Sequence, residues 1–277
     1  MENDPYVIFD GNIQRKSEVR ISPFHSGLYY GDGCFETFRG YSGKFLRLHE
    51  HLDRLQRAAK YLNYDPVDIR KEEILQLLDK NDLRQADSII RLQLWREGER
   101  GYQRSEHDNY RYVIEAKSLN VSDKAFKLIT SKSRVLPNLS LSRSFKLSNA
   151  INYSFAATEA MASNADGALM LNIDGFISET EIANIFWAKG DILYTPSNEC
   201  DCIPGIIQRV ILKLFPDCRQ GMYQMDEIKQ ADAIFLTNSV REIVPVSNLD
   251  GIDFDPNNPL LERVRSAFEN YKETHLE

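Results

Sequence analysis

Residues 30–39 read Tyr30-Gly31-Asp32-Gly33-Cys34-Phe35-Glu36-Thr37-Phe38-Arg39. Aromatic side chains and glycines are concentrated here and in the residues that precede it from Gly27, as they are in strands that adjoin tight turns. An earlier run at residues 6–9 ends in Asp10-Gly11, a pair that favours a hairpin turn. Together the two segments predict the start of an antiparallel sheet.

Helical and strand patterns alternate along the rest of the chain. Between residues 48 and 62, leucine and alanine recur at three- and four-residue steps, which predicts an amphipathic helix. Between residues 90 and 95, every second residue is an aliphatic one, so the predicted strand buries one face and presents Arg91 on the other. Further strands and helices follow, and the last helix is expected at 259–272.

A short polar stretch divides the chain into two halves. We therefore expect an α/β protein with an N-terminal domain at 1–118, a linker at 119–125 and a C-terminal domain at 126–277. Each domain is expected to be a sheet with packed helices. In the second domain, Pro204-Gly205 precedes an apolar-periodic run, which predicts a loop that opens a helix.

Composition excludes several classes of partner. The 277 residues are 42% hydrophobic and include 34 basic and 41 acidic side chains, a net charge of -7 that repels nucleic acid and anionic membranes. The sequence contains neither a signal-peptide pattern nor an apolar run of the ~18 residues that span a bilayer. These features predict a soluble, cytoplasmic protein that binds neither nucleic acid nor membrane.

Metal and common nucleotide motifs are missing as well. The four cysteines show no zinc-like spacing to histidine, and the run His49-Glu50-His51 is not an HExxH motif, so we expect no metal. Gly31-Asp32-Gly33 lacks the third glycine of a dinucleotide fingerprint. An anion could bind the helix start at Ile206 and Ile207, although every helix has such an end.

Two further residues could carry chemistry, but the residues alone do not decide it. The amine of Lys146 lies between apolar Phe145 and Leu147, which would favour nucleophilic imine chemistry, yet a solvated strand lysine is the commoner outcome. Glu179 lies in a predicted strand, where a solvated face is the default explanation.

Taken in order, these stretches resemble the fold-type IV pyridoxal-phosphate enzymes: branched-chain and D-amino-acid aminotransferases and aminodeoxychorismate lyase. The likeness extends over residues 24–246 and therefore implies a two-domain, D-amino-acid aminotransferase-like α/β fold. The matching stretches, besides 30–39, are 47–55, 145–149, 179–186, 204–207 and 235–246.

The resemblance implies pyridoxal 5′-phosphate as cofactor. It assigns Lys146, in the C-terminal domain, as the catalytic residue that bonds to the cofactor and carries the substrate proton. It assigns Glu179 to the pyridine nitrogen and Arg54 to the phosphate. The phosphate is further expected on the backbone N–H groups of Ile206 and Ile207 and on the Ser239 hydroxyl.

The chain departs from the family's pattern at two positions. Ile207 stands where a hydroxyl or methionine side chain is usual, so only its backbone donor remains. Ile151 stands where some branched-chain members have a tyrosine, so a hydrogen bond to the cofactor's O3′ must come from elsewhere or be absent.

Substrate-binding positions are implied at Tyr30, Phe35, Arg39, Arg91 and Arg100, with either Arg91 or Arg100 expected to hold a substrate carboxylate. The leading interpretation is an aminotransferase that passes an amino group between a branched-chain L- or D-amino acid and a 2-keto acid such as 2-oxoglutarate. Aminodeoxychorismate lyase, which releases pyruvate and 4-aminobenzoate, is the alternative, although Glu36 stands where some lyases have threonine. A non-catalytic pyridoxal-phosphate-binding protein is the remote third. The resemblance also implies a homodimer.

Overall fold

A computed structural model describes residues 4–65, 67–98, 100–103 and 109–277. Contacts within the chain separate it into two compact units. The first contains the described part of Met1–Asn120 together with Phe145–Asn149 and Leu276–Glu277, and the second contains Val121–Ser144 and Ala150–His275. No helix of the described residues is long and apolar enough to cross a membrane.

The first unit is an antiparallel sheet with helices. Its described strands and helices are, in chain order, β1 (Tyr6–Phe9), β2 (Asn12–Arg15), α1 (Ser26–Tyr30), β3 (Gly33–Tyr41), β4 (Lys44–Phe45), α2 (Leu48–Tyr61), α3 (Lys71–Lys80), β5 (Ser88–Arg96) and β6 (Tyr110–Ser118). The sheet order is β2-β1-β6-β5-β3-β4, with antiparallel pairing throughout. The antiparallel start predicted from residues 6–39 is therefore confirmed.

Alternation along β3 and β5 separates a packed face from a second face of this sheet. On β3, Cys34, Glu36 and Phe38 are buried, while Phe35 and Thr37 between them are only half-buried. On β5 the predicted buried set is confirmed, since Ile90, Leu92 and Leu94 are at most 1% exposed. Helix α2 packs against β3 with its apolar stripe, as its three- and four-residue spacing predicts.

Gly33, at the start of β3, is a glycine for steric reasons. A Cβ atom at this position would lie 2.4 Å from the carbonyl oxygen of Leu94 and 2.9 Å from Oγ of Ser148. Because a backbone carbonyl cannot move aside cheaply, only glycine lets β3 and β5 pair at this register.

The Lys146 segment belongs to the first unit. Leu147 forms an antiparallel bridge with Cys34, the Phe35 amide donates to the carbonyl of Lys146 over 2.9 Å, and the Ser148 amide donates to the carbonyl of Gly33 over 2.9 Å. These bonds extend β3 at its edge, so residues 145–149 group with the first unit, whereas the sequence interpretation placed them with 126–277. The change between the units at Asn120 and Val121 lies inside the expected linker, 119–125.

The second unit contains a mixed sheet. Its described elements are β7 (Phe126–Arg134), α4 (Ile151–Ala162), β8 (Gly167–Leu171), β9 (Ile177–Thr180), β10 (Asn184–Lys189), β11 (Ile192–Pro196), α5 (Ile206–Leu214), β12 (Arg219–Gly221), α6 (Met225–Ile228), β13 (Ala233–Asn238), β14 (Glu242–Leu249), β15 (Ile252–Asp253) and α7 (Pro259–His275). Along the sheet the order is β12-β11-β10-β13-β14-β7-β8-β9, and β15 pairs with β14.

This second sheet closes on itself around an apolar core. Strand β9 pairs with β8 and, through Glu179 opposite Asn184, with β10, so the strands from β10 round to β9 form a ring of hydrogen-bonded neighbours. Buried Leu169, Ile185 and Val246 belong to the core cluster. Helix α4 packs on β7 and β8, and α5 packs on β13. Closure fixes the side chains at the β9–β10 junction, because neither strand ends in a free edge there.

Candidate active site

In the first unit, Lys146 lies beside an aromatic ring and an arginine. Its Nζ atom is 5.5 Å from the centroid of the Phe35 ring, and Cζ of Arg91 is 4.3 Å from the same centroid. Phe35 therefore has two cations against it, which the negative face of an aromatic ring can hold. The structure thus brings three of the predicted site residues together, the proposed catalytic amine among them.

Gln93 fixes the position of Arg91. Nη2 of Arg91 donates to Oε1 of Gln93 over 2.9 Å, and Nε2 of Gln93 donates to Oγ of Ser148 over 2.8 Å. Ser148 is two residues from Lys146, so the guanidinium and the lysine segment are joined through one amide. Burial lowers the pKa of Arg91, although Glu115 opposes the shift. The guanidinium remains a cation at neutral pH because its ordinary pKa is so high.

Arg54 lies on the packed face of the same sheet. Its Nε is 2.5 Å from Oε1 of Glu36 and its Nη2 is 3.0 Å from Oε2, a bidentate pair in which the two side chains are 2% and 1% exposed. His51 donates from Nδ1 to Oε2 of Glu36 over 2.8 Å. Burial raises the pKa of Glu36, but the Arg54 charge and the His51 hydrogen bond outweigh it and lower the value to about 2. Glu36 is therefore an anion throughout the physiological range.

Tyr30 contacts both the lysine segment and the loop that precedes β6. Nδ2 of Asn149 donates to the Tyr30 carbonyl over 2.6 Å, which places Tyr30 next to the lysine segment. The Tyr30 hydroxyl accepts from the amide of Gly101 over 3.1 Å, and its ring is 5.1 Å from that of Tyr102. Arg100 is exposed and adjoins Gly101 in this loop.

Arg39 is not placed with this group. It lies four residues beyond Phe35 on β3, opposite Ile89 rather than Arg91 or Gln93. Its Nη2 bonds to a carboxylate oxygen of Asp87, and its guanidinium is 4.7 Å from the ring of Tyr41. In this structure Arg39 makes an ion pair at the other end of the strand.

In the second unit, Glu179 is a buried carboxylate with four donors. Oε1 accepts from Nη2 of Arg143 and from the Tyr153 hydroxyl, both over 2.7 Å. Oε2 accepts from the Ile203 amide over 2.9 Å and from Nδ2 of Asn184 over 3.3 Å. The residue is 4% exposed, so the solvated face that was the default explanation for it is wrong. Four donors, one of them cationic, stabilise the ionised carboxylate.

Sequence reasoning missed Arg143 and Tyr153. It looked for a tyrosine at residue 151, but Ile151 is 66% exposed, and the tyrosine that reaches the carboxylate is Tyr153. The helical spacing of α4 could have suggested this, because a position two residues further on points in another direction from the helix axis. Arg143 gave no signal, since a charged residue in a polar loop usually lies in solvent.

The start of α5 packs closely against the Glu179 side chain's neighbours. A Cβ atom on Gly205 would lie 2.0 Å from Oδ1 of Asn184, whose Nδ2 donates to the Ile203 carbonyl as well as to Glu179. Ile206 and Ile207 are the first two residues of the helix, and no carbonyl of the helix can accept from their amides. The helix dipole makes this end a site for an anion.

Strand β13 contributes hydroxyls on the same side of the unit. Thr237 pairs with Asn184 in the register of β10 and β13, and Ser239 follows just past the end of β13. Oγ1 of Thr237 is buried and has no hydrogen-bond partner among the residues that the structure describes. A carboxylate, two helix-start amides and two hydroxyls are thus gathered in the second unit.

These donors fit a phosphorylated pyridine. A buried hydroxyl without an acceptor, beside amides that a helix cannot satisfy, suits a phosphate, and a buried anionic carboxylate suits a protonated ring nitrogen. The described residues contain no group of three or more metal-ligating side chains. The chemistry gathered here is that of an organic anion site.

Known proteins share this architecture. A family profile described as Amino-transferase class IV matches residues 33–249. The aminodeoxychorismate lyase of Bacillus subtilis is 29% identical over 260 residues, which cover 90% of this chain and 88% of that protein. A putative branched-chain-amino-acid aminotransferase of Methanocaldococcus jannaschii is 32% identical over 259 residues, covering 88% of each.

Solved structures show the same fold. The branched-chain aminotransferase of the archaeon Thermoproteus uzoniensis, solved with norvaline, has a TM-score of 0.89 at 23% identity, covering 99% of this chain and 99% of that one. Other branched-chain aminotransferases of this fold were solved with pyridoxamine 5′-phosphate or with N-(5′-phosphopyridoxyl)-L-glutamate. The likeness confirms the fold class that the sequence predicted.

Proposed function

The chain belongs to the class IV aminotransferases, a pyridoxal-phosphate-dependent family of enzymes, and from this premise we propose that it transfers an amino group between an amino acid and a 2-keto acid. The observation that carries the proposal is the placement of Lys146 and Arg91 against one phenyl ring, that of Phe35. An amine able to bond to a cofactor is thereby joined to a cation able to hold a substrate carboxylate.

Pyridoxal 5′-phosphate, when bound, supplies an electron sink for the carbanion that forms at the substrate Cα. We propose that Lys146 bonds to it and afterwards carries the proton at Nζ. Glu179 would bind the ring nitrogen, with Arg143, Tyr153, Asn184 and the Ile203 amide keeping the carboxylate ionised and fixed.

Phosphate binding is proposed for residues of both units. Arg54 in the first unit would supply the cation, and Ile206, Ile207 and Ser239 in the second would supply backbone and hydroxyl donors. Thr237 joins this set on the evidence of its unsatisfied buried hydroxyl. The hydroxyl that position 207 lacks is thus offered from β13.

Substrate positioning is proposed for Arg91, Phe35 and Tyr30. The Gln93 amide holds the Arg91 guanidinium in place, so a carboxylate can bind without a rearrangement of that side chain. Phe35 would exclude water from the side of Lys146 on which it lies. Arg100, on an exposed loop, could contribute a second carboxylate contact, whereas Arg39 is held by Asp87.

The proposal separates cleanly from its alternative in a substrate assay. Protein incubated with pyridoxal phosphate and borohydride should carry a pyridoxyl group on Lys146 by peptide mass spectrometry, and Lys146→Ala should carry none there. With glutamate as donor, branched 2-keto acids should be aminated. A wild-type protein that is unmodified at Lys146 and inactive with every donor would refute the proposal.

Aminodeoxychorismate lyase activity is the second candidate, and the Bacillus subtilis relative favours it. Glu36 does not argue against it, because its carboxylate is bound to Arg54 and His51 on the packed face of the sheet. Release of pyruvate from aminodeoxychorismate, without amination of any keto acid, would select the lyase.

We propose further that the enzyme is a homodimer. A cluster of large apolar side chains is exposed in the first unit around α1, with Phe24 at 74% and Leu28 at 63% exposed. Such a patch is typical of a surface that another chain covers. Sedimentation should give a dimer for the wild type and a larger monomer fraction for Phe24→Glu, and a fully active wild-type monomer would refute the assignment.

A further inference from the structure

The buried group formed by Glu36, His51 and Arg54 has a geometry that a stabilising ion pair does not need. All three side chains are at most 2% exposed. Burying a charged pair costs desolvation that its attraction often fails to repay, so a buried pair is weak evidence for a contribution to stability. Its geometry is better explained by what it does to the orientation of one member.

Glu36 controls the plane of the Arg54 guanidinium. Its two oxygens bond to Nε and to Nη2, the pair of donors along one edge of the planar group. A bidentate contact fixes both the position and the rotation of a guanidinium, because the fork matches the carboxylate. The opposite edge, which includes Nη1, is therefore turned away from the carboxylate in one direction only.

His51 fixes Glu36 in turn. It shares the α2 face of Arg54, three residues earlier, and its Nδ1 donates to Oε2 of Glu36. The Phe38 ring lies 4.9 Å from the imidazole ring. Burial lowers the pKa of His51, although Glu36 opposes the shift, so the ring is a neutral, fixed donor near pH 7.

We infer that Glu36 is a positioning residue: by holding one edge of Arg54, with His51 behind it, it presents the other edge to the phosphate of the cofactor. The inference rests on the proposed function, in which Arg54 binds that phosphate. Glu36 acts through orientation and not through its charge, because a carboxylate near a phosphate repels it.

The variant that tests orientation keeps the charge. Glu36→Asp retains the anion but is shorter by one methylene, so it cannot reach both Nε and Nη2 from the same backbone position. We expect the Kd of the apoprotein for pyridoxal 5′-phosphate to rise about tenfold, the equivalent of one charge-assisted hydrogen bond. The Kd for pyridoxal, which has no phosphate, should be unchanged. The phosphate preference, defined as the Kd for pyridoxal divided by the Kd for pyridoxal 5′-phosphate, should therefore fall about tenfold.

A matched control is available in the first unit. Asp32 forms another buried pair, with Nε of Arg96 at 3.2 Å, and Asp32→Glu also keeps the charge while it changes the length by one methylene. This variant should keep the wild-type phosphate preference. In an Arg54→Met background, Glu36→Asp should have no further effect on that preference.

Each outcome has a distinct meaning. A phosphate preference that falls in Glu36→Asp alone supports the inference. Equal weakening of both ligands, an unchanged preference, or the same fall in Asp32→Glu overturns it. A wild-type protein that binds both ligands equally overturns the proposed role of Arg54, and the inference with it, before any variant is compared.

A second pair of variants serves if Glu36→Asp does not fold by circular dichroism. His51→Leu removes the donor to Glu36, whereas His51→Asn offers an amide N–H near the position of Nδ1. The phosphate preference should fall in His51→Leu and return toward the wild-type value in His51→Asn. An unchanged preference in His51→Leu would overturn the inference.

Discussion

Replacement of Glu36 by glutamine should cost stability in a way that depends on pH. The pKa of this carboxyl is about 2 in the folded chain, against an ordinary value of 4.5, because the Arg54 charge and the His51 hydrogen bond outweigh the burial that raises it. A carboxyl pKa that is lower in the folded state stabilises the fold above the unfolded value. This stabilisation disappears as the pH falls from about 4.5 toward 2.

The magnitude follows from the same two values. A difference of about two and a half pKa units corresponds to about 3 kcal/mol of stability at neutral pH. Removing one partner of a buried pair costs about 3–5 kcal/mol, which agrees with this value. At pH 3 only about 1–1.5 kcal/mol remains, so the difference between wild type and Glu36→Gln should shrink by about 2 kcal/mol between pH 7 and pH 3.

Fluorescence can follow the first unit alone. The chain has two tryptophans, Trp95 in the first unit and Trp187 in the second, so Trp187→Phe leaves a reporter for the unit that contains Glu36. Urea unfolding of the apoprotein would be measured across this pH range, with His51→Asn in both proteins so that the imidazole does not titrate. A difference that stays constant with pH would refute the reasoning, since it would mean that the carboxyl is not ionised below its ordinary pKa.

Three further outcomes are expected. Gly33→Ala should lower the free energy of unfolding by about 2–3 kcal/mol in the Trp95 signal, because its Cβ would meet a β5 carbonyl at 2.4 Å; a loss below about 0.5 kcal/mol would contradict that contact. Tyr153→Phe should destabilise the second unit by about 1.5–3 kcal/mol in the Trp187 signal, since Glu179 loses one donor, and an unchanged urea midpoint would speak against the bond. Arg91→Lys should lower kcat/KM for dicarboxylic substrates by roughly tenfold and for monocarboxylic ones less, because an ammonium group cannot reproduce a planar fork; equal losses would move the carboxylate contact elsewhere.

Local patterns were enough to predict the elements. The helix spacing over 48–62 predicts α2 at Leu48–Tyr61, and the apolar run after Pro204-Gly205 predicts α5 at Ile206–Leu214. Helical and strand periodicities are properties of neighbouring residues, so a sequence contains them in full. The family resemblance rests on similarly short stretches, and it is confirmed.

The tertiary structure decided which of the named residues meet. Phe35, Arg91 and Lys146 come together only because β3 pairs with β5 on one edge and with residues 145–149 on the other. Arg39 belongs to the same matching stretch as Phe35, yet it pairs with Asp87. Strand register determines these neighbours, and register depends on partners that are distant in the sequence.

The partners of the charged groups were equally hidden from the sequence. Glu36 reads as one more polar residue in an aromatic stretch, and Tyr153 as one of thirteen tyrosines. Their roles follow from burial, because a carboxylate without water must find its donors among whatever side chains the fold brings near. The sequence by itself determined the family, the elements and the chemical groups; the packing of strands and helices decided which charges neutralise one another and in which direction Arg54 is held.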